Sequence, residues 1–144
     1  MKRWLALVLL VVALLVSAAA CSSEDAAPEA LYSAGEATAV TAEELFAAYA
    51  DKPKAADKRF KDELLAVTGT VATVTTDPIL EAPEVVLSGG ATDPGRGIDC
   101  VFDARYAEQV AEFQKGATVT VLGVCNGYAE DVFVLLLHCQ PTEE

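Results

Sequence analysis

The chain changes its hydrophobic period three times. Residues 5 to 16 are apolar without interruption, behind a basic pair, Lys2 and Arg3. The run is shorter than the ~20 residues a membrane-crossing helix needs. From residue 22 to about 40 no apolar period is sustained. Thr41-Ala-Glu-Glu44 then has the form of a capping box, in which a Thr hydroxyl and a Glu carboxylate satisfy each other's backbone N–H groups. Leu45, Phe46, Tyr49 and Ala50 follow at helical spacing, which predicts a helix over 42–51. Pro53 suits the first position of a second helix, predicted over 54–60 with Ala55, Ala56, Arg59 and Phe60 at helical spacing.

After Asp62 the period becomes two. Leu65, Val67, Gly69, Val71 and Thr73 form one face of a long strand, with a bulge or bend expected at Gly69. Thr76-Asp77-Pro78 ends it. A second strand is expected at 84–88, a loop at 89–97 (GGATDPGRG), and a third strand at 98–103 with Ile98, Cys100 and Phe102 facing in. Tyr106, Val110 and Phe113 predict a helix over 104–114, stopped by Gly116. The fourth strand is expected at 119–125, a turn at Asn126-Gly127, and a fifth strand at 132–139 before Pro141. This is a mainly β chain in the order β-β-β-α-β-β, the order of a five-stranded OB-fold barrel, with an N-terminal helical extension.

The start of the chain carries an address. A basic pair, an apolar core and small residues before Cys21 make a secretory signal peptide of residues 1–20. The Cys at the cleavage point resembles the lipobox of bacterial lipoproteins, with Ala18 where Leu is usual. Two readings stand: lipidation of Cys21, or an ordinary leader with Cys21 as an unpaired thiol. The first is the expectation, because residues 21–40, rich in Ser, Ala, Glu and Pro, suit a disordered tether before a domain at 41–144. A diacylglycerol on Cys21 would place the protein in the bacterial cell envelope. Ser22, rather than Asp, directs it to the outer membrane facing the periplasm, or to the plasma membrane exterior in a Gram-positive cell.

Of the 144 residues, 10 are Lys or Arg and 22 are Asp or Glu, a net charge of −12. Losing Lys2 and Arg3 with the leader leaves 8 basic residues against 22 acidic, a net −14. Nucleic-acid affinity depends on Lys and Arg neutralising phosphates, so no nucleic acid is expected as a partner. Five of the eight basic residues lie at Lys52, Lys54, Lys58, Arg59 and Lys61. Asp51, Asp57, Asp62 and Glu63 are interleaved with them, which reads as a solvated helix face.

The segments LLAVTGTV (64–71), IDCVF (98–102), KGATVTVLGVCNGY (115–128) and DVFVLLLHC (131–139), together with residues 49–60, resemble the tRNA-anticodon-binding-like OB-fold family of small exported bacterial proteins and lipoproteins. The most specific element is Gly123, Cys125, Gly127 and Tyr128, followed by a last strand ending in Cys. The resemblance covers roughly 41–140. It implies an OB barrel and assigns neither an activity nor a cofactor.

In an OB barrel the third and fifth strands lie side by side and parallel. A disulfide between Cys100 and Cys139 is therefore expected in an oxidising compartment, with Cys100–Cys125 as the alternative. No metal is expected, since no C-x-x-C spacing is present. His138 has no nucleophile motif beside it and reads as structural. Arg96, in the glycine-rich loop, is the candidate contact for an anionic group, and Tyr128, expected in the loop before the last strand, the candidate stacking platform. The function implied is a non-catalytic binding module for an envelope protein, peptide or glycan. A small envelope enzyme and a nucleic-acid-binding domain are the alternatives.

Overall fold

A computed structural model describes residues 30–90, 96–130 and 132–142. The leader, Cys21 and the first part of the expected tether lie outside the described residues.

The capping box forms as expected. The Thr41 Oγ1 accepts from the Glu44 N–H at 3.1 Å, and the Glu44 carboxylate accepts from the Thr41 N–H at 3.2 Å. It starts helix α1, Ala42–Asp51, and Pro53 starts α2, Pro53–Phe60. Both helices bury one stripe: Ala42, Leu45 and Tyr49 from α1, Ala56 and Phe60 from α2. Burying a side chain the size of Leu or Phe contributes roughly 1.5–3 kcal/mol, so the stripe holds the helices to the barrel, while most of the Lys-rich surface of α2 faces solvent.

Six strands form the sheet: β1 (Thr38–Thr41), β2 (Leu64–Thr76), β3 (Pro83–Ser88), β4 (Gly97–Phe102), β5 (Thr118–Ala129) and β6 (Phe133–Pro141). Strands β2, β3, β4, β6 and β5 pair in that order, and β5 pairs back onto β2, which closes a five-stranded barrel. The β4–β6 pairing is parallel and the other barrel pairings are antiparallel. This is the OB topology. Its interior is filled by alternate residues, among them Leu65, Val67, Val85, Leu87, Ile98, Cys100, Phe102, Val121, Val134 and Leu136.

Four expectations are corrected. The tether expected to run to residue 40 overlaps a strand: Thr38–Thr41 form β1, which pairs in parallel with β2, Thr38 opposite Leu65 through Thr41 opposite Thr68. The bulge in β2 falls at Ala72 instead of Gly69. Gly69 is required for another reason: a Cβ there would lie 2.6 Å from the Cβ of Ala42, so its absence lets α1 sit directly on the sheet. Asn126-Gly127 is not a turn. Gly127, at φ +94°, makes a bulge inside β5, and the strand continues to Ala129. The helix expected over 104–114 is a 3-10 turn, Ala104–Tyr106, followed by a short helix α3, Ala107–Ala111. Tyr106 and Val110 still fill the barrel end, and Phe113 meets Phe102 edge-on at 6.1 Å between ring centres.

Candidate functional site

OB barrels take ligands on the outer face of their second and third strands and the adjoining loops. Here those strands are β3 and β4. With Val85, Leu87, Ile98 and Cys100 turned inward, the period of two turns Glu84, Val86, Ser88 and Asp99 outward. The register puts Val86 opposite Asp99, and Asp99 opposite Leu135 of β6. Glu84 stands opposite Val101, diagonal to Asp99.

The loop from β2 to β3 borders this face. Asp77 folds it: its Oδ1 accepts the N–H groups of Ile79 at 2.8 Å and Leu80 at 2.7 Å. The Asp77 N–H donates to the Ala82 carbonyl at 2.8 Å, and Glu81 takes φ +52° to close the turn. The turn thus presents Ile79 and Leu80 at 86% and 60% exposure. Large apolar side chains held in water at a structured tip are a feature of contact surfaces.

The carboxylates on this face are electrostatically strained. Burial among apolar neighbours pushes Asp99 up to about 6, and the negative charges of Glu84 and Asp77 add to the rise. Glu84 is also raised, first by burial and then by Asp77, while a hydrogen bond from Asp99 pulls it the other way. Below about pH 6 the two therefore act as a pair in which protonated Asp99 donates a hydrogen bond to Glu84. The Asp99 Oδ1 is buried with no hydrogen-bond partner among the described residues. Perturbed carboxyl groups on the face that OB barrels use for ligands make it the candidate functional surface.

The residues singled out from sequence lie elsewhere. Arg96 precedes β4, is exposed, and its carbonyl accepts from the Gly89 N–H at 3.0 Å. It stands at the Ser88–Gly97 end of the face, away from Asp77. Tyr128 is in β5 rather than in a loop, half-buried, its ring 6.3 Å from Phe46 and 5.8 Å from Tyr49. Its ring is thus taken up in holding the helices to the sheet. His138 is exposed, at φ +53°, inside a bulge of β6. Among the described residues no three His, Cys, Asp or Glu side chains converge to hold a metal ion.

Cys100, Cys125 and Cys139 are buried free thiols, so the expected disulfide is not formed in this structure. Burial pushes Cys125 up, and the Tyr49 hydroxyl lies 3.5 Å from its sulfur. Tyr49 is itself raised well above the usual phenol range, by burial and by hydrogen bonding to Cys125 and Asp57. Burial also raises Cys139, whose thiol donates to the Leu136 carbonyl at 3.5 Å. Groups held protonated in this way pack well and react poorly.

Gln140 was not legible as important from sequence. It is a buried polar side chain, and its Oε1 accepts the N–H groups of Leu31 at 2.6 Å and Tyr32 at 2.9 Å. Its Nε2 donates to the Tyr32 carbonyl at 3.1 Å. One amide thereby clamps the N-terminal segment onto the end of β6.

The comparisons with known proteins agree with this architecture. The tRNA_anti-like family model matches residues 1–140. The chain belongs to the tRNA_anti-like family. A solved lipoprotein from Klebsiella pneumoniae subsp. pneumoniae, described as a proposed nucleic acid-binding protein, matches this tRNA_anti-like chain with a TM-score of 0.61 at 11% identity, covering 76% of this chain and 94% of the other. That likeness shows the fold. A protein from Leishmania major proposed to be an aspartyl-tRNA synthetase matches at a TM-score of 0.46 and 9% identity, over 81% of this chain and 23% of its own. Among curated proteins, none matches.

Proposed function

We propose that this chain is an envelope-tethered, non-catalytic binding module whose β3–β4 face takes a cationic segment bearing apolar side chains, of the kind a Lys- or Arg-rich stretch of another envelope protein supplies. The observation that carries the reading is the meeting of Asp77, Glu84 and Asp99 at the face an OB barrel uses for ligands, with exposed Ile79 and Leu80 on the loop that borders it. Cationic groups would relieve the repulsion among the carboxylates, and the apolar tip would supply the burial that a charge pair alone does not. The net charge of −12 would steer such a partner inward.

A non-catalytic role is supported by the Cys125 and Cys139 thiols, which burial holds protonated. The tether is a lipid on Cys21, supported by the leader and the small residues before it. It places the domain on the outer membrane facing the periplasm, or on the plasma membrane exterior of a Gram-positive cell. Nucleic-acid binding is the second reading, favoured by the description of the Klebsiella lipoprotein. Charge opposes it, since carboxylates occupy the face where phosphates would lie.

Fluorescence anisotropy separates the two. The probes are a labelled amphipathic Lys/Leu peptide and labelled single-stranded RNA and DNA at physiological salt. The peptide should bind, weaken as salt rises, and lose about tenfold in affinity for Glu84→Gln, the size expected for one charge-assisted contact. The nucleic acids should give flat titrations. Salt-dependent micromolar binding of RNA or DNA, with no response to the peptide, would overturn the reading.

A further inference from the structure

We propose that Cys100 and Cys139 are a modification site, oxidised to an intramolecular disulfide that staples β4 to β6 and is made before the barrel closes. Three observations carry it. The strands are parallel neighbours, with Cys100 opposite Leu136 and Phe102 opposite Cys139. The bulge at His138 turns Cys139 inward next to its buried successor, Gln140, and the Cys139 thiol donates to the carbonyl of Leu136, the residue opposite Cys100, at 3.5 Å. A Cβ at Gly123 would stand 2.6 Å from the Cys139 sulfur, so this glycine keeps the space that the sulfur occupies.

The third thiol is engaged elsewhere. Cys125 lies against the Tyr49 hydroxyl, under the helices. The site therefore distinguishes one pair among three, although all three thiols belong to one core.

The chemistry is thiol–disulfide exchange with an external disulfide oxidant. One thiolate attacks the oxidant, forms a mixed disulfide and expels the first oxidant thiol. The second cysteine then attacks the mixed disulfide and expels the other. Two protein thiols and one oxidant disulfide become one protein disulfide and two oxidant thiols, so electrons and protons balance. Both cysteines have 0% exposure. A large oxidant reaches neither in the closed barrel. The exchange belongs to the chain before β6 docks, or to a rare opened state.

The test refolds the reduced domain in oxidised glutathione and maps it without reduction, using trypsin and a glutamate-specific protease. Cleavage after Arg96, Arg105, Lys115 and Glu130 puts each cysteine on its own peptide. The expected product joins the peptide with Cys100 to the peptide with Cys139, and Cys125→Ser leaves it unchanged. The same oxidant added to the folded, reduced protein should act slower by on the order of a thousandfold, because opened states are populated at roughly 10⁻³ or less. A link through Cys125, or three free thiols after oxidative refolding, would overturn the site. Equal rates from folded and unfolded protein would overturn the order of events.

Discussion

Replacing Asp99 with Asn should stabilise the protein at neutral pH, and the gain should disappear in acid. Asp99 titrates at about 6 in the folded chain, against an ordinary 3.8. Burial and two like charges disfavour its ionised form, so the folded state binds its proton more tightly than the unfolded state does. The sign follows by linkage: the contribution of Asp99 to native stability is highest below about pH 4, falls as pH rises through about 6, and stays at the lower level above that. Felt in full, that displacement corresponds to about 3 kcal/mol. The carboxyl is only half-buried, and solvent screening reduces the figure to roughly 1–2 kcal/mol. Asn keeps the size and cannot ionise. Urea unfolding of both proteins at intervals from pH 4 to 8 reads the difference directly. The curves should coincide near pH 4 and separate by roughly 1–2 kcal/mol at pH 7.5. A difference that is constant across the range, or a variant less stable at pH 7.5, would refute the electrostatic account of this face. A carboxylate kept at a cost in stability fits the cationic contact proposed for this face.

Three further outcomes are expected. Gln140→Leu strands two N–H groups and one carbonyl of the N-terminal segment, and should cost about 1–3 kcal/mol; hydrogen exchange should quicken over residues 31–41 while the barrel strands keep their protection. Gly69→Ala drives a methyl group into Ala42 and should cost about 1–3 kcal/mol by overpacking, with much of the loss in Tm recovered when Ala42→Gly is added. Mass spectrometry of the mature N-terminus should find an acylated Cys21, and Cys21→Ala should move the protein into the soluble fraction; a mature chain with a free N-terminus at any other residue would exclude the anchor.

The elements that are local in sequence could be read from sequence. Thr41 and Glu44 cap a helix whatever lies around them, Leu45 and Tyr49 keep helical spacing, and Ile98, Cys100 and Phe102 alternate because their strand has a wet side and a dry one. The order of strands then selected the barrel. What escaped was set by contacts far apart in the chain. Asn126-Gly127 has the composition of a turn, yet a Cβ at 127 would lie 3.1 Å from the Asp57 Oδ1, so the glycine answers to the approach of α2. Thr38–Thr41 is four residues of no marked pattern, and pairs only because β2 offers it an edge. Asp99 reads as an ordinary outward position of a strand; its strain appears only when Glu84 and Asp77 are brought beside it. Ile79 and Leu80 carried a signal that could have been used, two large apolar residues inside a turn flanked by Pro78 and Glu81.

The clamp at Gln140 sets a length as well as a contact. With Leu31 pinned, nine residues, 22–30, separate it from Cys21. The ten steps from Cys21 to Leu31 span no more than about 36 Å however they are arranged, not far above the width of a domain with a radius of gyration of ~13 Å. Lipid on Cys21 would therefore hold the barrel within about its own width of the bilayer. Encounter would become a search in two dimensions: partners embedded in or lying on the same membrane would meet the face at a high effective concentration, and soluble ones would gain nothing from the anchor. Ten residues inserted before Leu31 would roughly double the reach and dilute that advantage without altering the face.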